Sequence, residues 1–214
     1  MASTILNKLQ WRYATKRFDP TKKLGEDKLH FLKESFNLTA TSFGLQPLKL
    51  VVISDAALKE KLMAFSFNQP QVRDASHLLI LCVEKKIDRN FIIDHFKRVE
   101  GIRNTPRKIL EPFEENLIET FTDKNSEEIK VWMTNQLYLA LGTLLTVCAV
   151  EKIDSCPMEG FLSKKFDELL GLDKIGLESV ILLPVGYRDE TDFFRNLKKV
   201  RRGVEELVID LDPK

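Results

Sequence analysis

Apolar residues recur along this chain with two distinct spacings. Positions three and four apart mark amphipathic helices. Ile5, Leu6 and Leu9 predict a helix over 5–13, Leu29, Leu32 and Phe36 one over 26–38, and Leu58, Leu62 and Phe65 one over 55–65, with a shorter helix at 164–170. Continuous apolar runs mark strands instead: Leu48 to Ile53, Ser76 to Val83 and Ser179 to Gly186. The second of these is bounded by charge and suits a central strand covered on both faces. Turn signals separate the elements. They are Asp19-Pro20, the polar loop Thr39 to Pro47, the segment Asn68-Gln69-Pro70-Gln71 and the connection Ser155 to Phe161. Proline disfavours helix in the residue before it, so Pro70 ends any helical run there.

A broad apolar stripe from Ile129 through Met133, Leu137, Leu141 and Leu144 to Cys148 predicts a helix of about 24 residues, close to 36 Å long, with Asn125-Ser126-Glu127 as its cap. Val131, Tyr138, Leu139 and Val147 make its other faces apolar too, which places it in the core or against a second subunit. Asp88 to Phe121 reads as a helical excursion on the body, without clear boundaries. Leu207 to Leu211 alternates weakly and reads as a terminal strand, which must pair with its own sheet or with a neighbour's edge. Helices around a small apolar sheet give an α+β sandwich, and 214 residues fit one domain spanning 1–214.

Acidic and basic residues nearly cancel, 32 against 33, so no global field draws the chain to nucleic acid or an anionic membrane. The most apolar segment, Leu137 to Val150, has 14 residues, short of the roughly 20 that cross a bilayer. The N-terminus meets charge at Lys8 and carries no secretory pattern. Cys82, Cys148 and Cys156 form no C-x-x-C pair, which fits a reduced, cytoplasmic setting. His30, His77 and His95 are too scattered to suggest a metal site.

Neither a G-x-G-x-x-G turn nor a P-loop is present, which disfavours a dinucleotide-binding domain. Two basic clusters remain, Arg12/Lys16/Arg17 and Lys198/Lys199/Arg201/Arg202. Brought together, they would suit a phosphomonoester; kept apart, they are a solvated charged face. His77, before an apolar strand, reads as a structural hydrogen-bonding residue. Glu159 reads as part of a turn, Cys156 as an inert thiol, and Trp132, Met133 and Tyr138 as core or dimer packing.

The segment Trp11-Arg12-Tyr13-Ala14-Thr15-Lys16-Arg17-Phe18 resembles the opening signature of the oxygen-insensitive, NfsB-like nitroreductases. Ser42 to Pro47, Asn68 to Gln71 leading to His77, Pro157 to Phe161, Pro184 to Tyr187 and Leu197 to Arg201 resemble the same family in the same order. The resemblance covers nearly the whole chain and is weakest over 88–121. It implies a homodimeric FMN enzyme built as a three-layer sandwich, with a mostly antiparallel sheet and a C-terminal strand exchanged to the partner subunit. It further implies reduction by NADH or NADPH in a ping-pong cycle, hydride passing through flavin N5 to a nitroaromatic, quinone or related small acceptor. By the same resemblance Arg12, Tyr13, Ala14 and Lys16 hold FMN from one side, and Lys199 and Arg201 close on its phosphate. Asn68 and Gln71 sit beside the ring or its polar tail. Pro157, Met158, Glu159 and Gly160 lie along a ring face, with backbone at Glu159 and Gly160 serving N5. Ser42 and Gln46 come from the partner.

The chain departs from the family pattern in places. Tyr13 and Ala14 stand where histidine and serine are familiar, Gln71 where lysine is frequent, and Leu48 where tryptophan commonly follows Pro47. A specialised pterin or enone reductase, or a protein that stores FMN without turnover, is an alternative reading.

Overall fold

The computed structural model describes residues 4–211. Their order is α1 (Thr4–Trp11), α2 (Glu26–Asn37), β1 (Leu48–Ile53), α3 (Ala56–Ala64), α4 (Gln71–Asp74), β2 (His77–Glu84), α5 (Arg89–Arg103), α6 (Arg107–Thr122), α7 (Ser126–Val150), β3 (Asp154–Ser155), α8 (Ser163–Leu170), β4 (Leu177–Gly186) and α9 (Val204–Leu207). Side chains open several helices by accepting otherwise unpaired N–H groups. Asp55 accepts from Leu58 N at 2.7 Å and Asp88 from Phe91 N at 3.0 Å. Asn125 accepts from Glu128 N at 3.0 Å while Glu128 returns a bond to Asn125 N at 2.9 Å, a reciprocal cap on α7.

The four strands are antiparallel in the order β1-β2-β4-β3. Because side chains alternate across a strand, β2 serves both faces of the sheet. Leu79, Leu81 and Val83 join Ile181, Leu183 and Val185 in one core with Leu32 of α2, Ile92 and Phe96 of α5, Leu117 of α6 and Leu137 of α7. Leu78, Ile80 and Cys82 join Leu182 in a second core with Leu62 of α3, Val72 of α4 and Phe166 of α8. This gives an α+β sandwich of three layers with a covered, antiparallel sheet.

Helix α7 runs 25 residues, and by length and composition it could cross a membrane. Its buried positions, among them Met133, Leu137, Ala140, Leu141 and Leu144, pack as the core helix of the first layer. The excursion resolves into α5 and α6, separated where Asn104 turns left-handed at φ 53°. Of the two pairings open to a strand over 207–211, the one with its own sheet is not formed: Leu207 closes α9, and Val208 to Leu211 pair with no strand of this chain among the described residues. An extended segment becomes a strand only when a ladder partner is in reach.

Between α1 and α2 the chain is stitched to the end of the sheet. Thr15 N donates to Ser155 O at 3.2 Å, Asp19 N to Tyr187 O at 2.9 Å and Asp189 N to Arg17 O at 2.9 Å. Gly186 permits this approach: a Cβ there would stand 2.9 Å from Ser76 N and 3.2 Å from the Phe18 ring. The fully buried Lys59 amine donates to the carbonyls of Ala75 and Ser76 and forms no ion pair among the described residues, and burial lowers its pKa to about 8.

Gly186→Ala is expected to destabilise the chain by about 1–3 kcal/mol through overpacking against backbone, read as a drop in denaturation midpoint. For Lys59, the unfolded chain binds more protons than the folded one between the depressed value near 8 and the ordinary lysine value near 10.5. The stability of the wild type relative to Lys59→Met is therefore expected to rise as pH climbs through that window, measured by urea melts at pH 7, 9 and 11.

Candidate functional site

A cavity of about 740 Å³ opens between the end of α1 and the segment that precedes α9. Gln10 to Ala14 and Lys16 line one side, and Phe194, Arg195 and Leu197 to Arg201 the other. Six of these residues are cations, Arg12, Lys16, Arg195, Lys198, Lys199 and Arg201, and none is acidic. The two basic clusters thus meet: Lys199 Nζ donates to the Arg12 carbonyl oxygen from 187 positions away in sequence. Burial and then the nearby Arg201 hold the Arg12 guanidinium below its ordinary pKa. Burial, Arg12 and Arg201 do the same to Lys199. Arg12 Nε is buried with no hydrogen-bond partner among the described residues. Mutual repulsion and an unspent donor are both relieved by an anion rich in acceptor oxygens, so these residues fit a phosphomonoester.

A buried carboxylate ties together the two backbone segments that carry the cations. Asp192 is buried, and its Oδ2 accepts from Lys16 N at 2.8 Å, Arg17 N at 3.1 Å and the Tyr13 hydroxyl at 3.0 Å. Its Oδ1 accepts from Phe194 N at 3.0 Å, opening the turn Phe193–Asn196 that delivers the second cluster. Burial opposes ionisation of Asp192, yet the bonds from Arg17, Lys16 and Phe194 outweigh it and keep the carboxyl below its usual range. The Tyr13 hydroxyl is pushed upward, first by burial and then by its bond to Asp192, so it remains a donor. A second carboxylate, Asp154, receives Arg188 Nε at 2.6 Å, and the Arg188 guanidinium lies 4.2 Å from the Trp11 ring and 4.5 Å from the Tyr13 ring. Sequence reading missed Asp192 and Asp154. Their acidic side chains give no local signal, because the groups they bind are far away in sequence.

The remaining candidates occupy other places. Lys16 Nζ reaches Cys156 Sγ at 3.9 Å, linking the cavity to the segment Pro157 to Gly160. Met158 pairs with Leu182 of β4, and Glu159 and Gly160 are exposed beyond it. Opposite Gly160 lies a strained turn. Phe67 and Asn68 both adopt left-handed backbone, φ 53° and 55°, and Gln69 Nε2 donates to Gly160 O at 3.0 Å. Gln71 is buried, with its Oε1 unpartnered among the described residues. Ser42 and Gln46 do not line the cationic cavity. Ser42 N bonds Gln136 Oε1 at 2.8 Å, while Gln46 lines a separate cavity of about 320 Å³ with Asn37, Thr41 and Glu84.

His77 keeps a structural role: its Nδ1 lies 3.0 Å from Ser76 Oγ, which also accepts from Leu24 N at 2.7 Å. The three cysteines are buried and unpaired. Burial raises the Cys156 thiol and raises Cys82 and Cys148 to about 12, so none is a nucleophile near neutral pH. Met133 is core and Trp132 packs on Phe121, whereas Tyr138 is partly exposed and donates to Glu159 Oε1, a contact that a packing role did not anticipate.

The fold and sequence have counterparts. The family profile described as "Nitroreductase family" matches residues 9–187. A Staphylococcus haemolyticus protein carrying the name of an NAD(P)H nitroreductase is 32% identical over 226 residues, covering 97% of each chain. Among solved structures, a nitroreductase-type protein of Exiguobacterium sibiricum, crystallised in complex with FMN, superposes with TM-score 0.83 at 18% identity, covering 98% of this chain and 98% of that one. A gut-bacterial enone reductase of fatty-acid biohydrogenation superposes with TM-score 0.80 at 20% identity, covering 98% of this chain and 99% of that one. At these identities the two structures establish a common fold, and the profile and the sequence relative establish more: the chain belongs to the nitroreductase family.

Proposed function

We propose that this chain is an NAD(P)H-dependent FMN oxidoreductase that reduces small organic acceptors, nitroaromatic or quinone-like, as a cytoplasmic homodimer working by a ping-pong cycle. The observation that carries the reading is the cavity of six cations without an acid, in a chain of this family. Arg12, Lys16, Lys199 and Arg201 would hold the phosphate, with Tyr13 and Ala14 forming the turn that presents Arg12 and Lys16. Bound FMN would supply the hydride chemistry, which no side chain here performs alone.

Around it, the chain's own groups position and exclude. The N–H groups of Glu159 and Gly160 have no acceptor among the described residues and are free to serve a ring edge, with Pro157 and Met158 beside them. Asn68 and Gln71 offer polar groups to the ring or its tail. Ser42 and Gln46, set apart from the cationic cavity, are assigned to the site of the second protomer. The exposed apolar residues Val208, Ile209 and Leu211 support an exchanged terminal strand. The unpaired cysteines support a reducing compartment.

Anaerobic addition of NADH or NADPH to the FMN-loaded protein should bleach the oxidised flavin band, and a quinone, nitroaromatic or enone should restore it. A flavin that stays oxidised with both nicotinamides would leave storage, without turnover, as the better reading. Arg201→Ala should raise the FMN dissociation constant by roughly tenfold or more, the loss of one charge-assisted contact, while the apoprotein melts within about a degree of wild type because an exposed side chain has been trimmed. Asp192→Asn turns an amide toward groups that all donate. It should therefore lower both FMN affinity and thermal stability, and flavin titration with a melt of the apoprotein would expose an effect on only one of them. The wild-type carboxylate's contribution is present above its unfolded pKa of 3.8 and is lost as pH falls through the lower folded value.

A further inference from the structure

Two contacts from opposite sides converge on the exposed turn Glu159–Gly160. From α7 the Tyr138 hydroxyl donates to Glu159 Oε1, and from the strained turn after α3 Gln69 Nε2 donates to Gly160 O at 3.0 Å. The start of the turn is tied to β4, with Met158 N to Leu182 O at 2.9 Å and Leu182 N to Met158 O at 3.0 Å. Its end is closed by Phe161 N donating to Glu159 O at 3.0 Å. The N–H groups of Glu159 and Gly160 are left between these fixed points.

Tyr138 is 42% exposed, and its ring is not part of either core. Packing alone gives no reason for a hydroxyl there. The bond to Glu159, and then partial burial, raise the phenol to about 12, so it stays protonated and donating across the ordinary pH range.

We propose that Tyr138 is a positioning residue of the redox site: by holding the Glu159 side chain it fixes the turn whose two free N–H groups serve the ring of bound FMN. This rests on the FMN reading above. Donors held in place favour the more electron-rich form of a group they face, whereas donors on a loose turn lose part of that advantage to reorganisation. Tyr138 therefore acts on the balance between reduced and oxidised FMN, through Glu159.

The test is the two-electron potential of FMN in the holoprotein, measured against a reference dye for wild type, Tyr138→Phe, Glu159→Ala and the double variant. The phenylalanine ring preserves shape at a partly exposed position, so the fold is retained. Tyr138→Phe is expected to lower the preference for reduced over oxidised FMN by roughly three- to tenfold, where tenfold corresponds to about 30 mV. In the Glu159→Ala background the same substitution changes nothing further, because its acceptor is gone. A Tyr138→Phe potential equal to wild type, or an equal shift in both backgrounds, overturns the positioning role and leaves the FMN reading intact. A wild-type chain that takes up no FMN overturns both.

Discussion

Like charges crowded into one cavity repel, and burial of Arg12 and Lys199 adds desolvation to that repulsion. The arrangement persists because the backbone carrying the charges is fixed by something else. Asp192 does this by accepting from Tyr13, Lys16 and Arg17 on one chain segment and from Phe194 on another. Its negative charge is spent on donors of the frame rather than on the cationic side chains. Those side chains are left available to an anion, while Asp192 itself lines none of the cavity's surface.

The frame in turn leans on the sheet. Residues 14–19 run along the ends of β3 and β4, and Gly186 lets them lie close enough for backbone bonds to Ser155 and Tyr187. Both faces of that sheet are covered, so the strand ends are held by packing from two cores. A cavity lined by two segments distant in sequence is thereby anchored to the sheet. Catalytic geometry built on such a scaffold is better defined than one built on loops alone.

Left-handed backbone recurs at residues that do not line the cationic cavity. Phe67 and Asn68 occupy left-handed backbone beside Gly160, and Phe43 does so at φ 58° beside Gly44 in the loop that carries Ser42 and Gln46. Left-handed backbone is costly for a side chain as large as phenylalanine. It persists where neighbours over-determine the conformation, as Gln69 does through Gly160 O and as the Phe121 and Trp132 rings do around Phe43. The exposed turn Glu159–Gly160 thus lies between a strained segment and the rigid helix α7.

Much of the fold was legible in the chain itself, because burial imposes periodicity. The β1 run, the doubly buried β2, the apolar β4 and the length of α7 follow from which positions must leave water. The boundaries within 88–121 were not legible: Pro106 precedes α6, but Pro112 lies inside it, where tertiary packing of Leu117, Ile118 and Phe121 compensates for the lost bond. The residue types of the candidate site could also be read, since arginine and lysine declare their chemistry locally. Whether Arg12 and Arg201 share a cavity, that Asp192 binds Lys16 from 176 positions away, and that Tyr138 turns to Glu159 were decided only by tertiary structure. Sequence periodicity encodes each element's relation to solvent, whereas contacts between distant segments depend on how the layers stack, which no local pattern records.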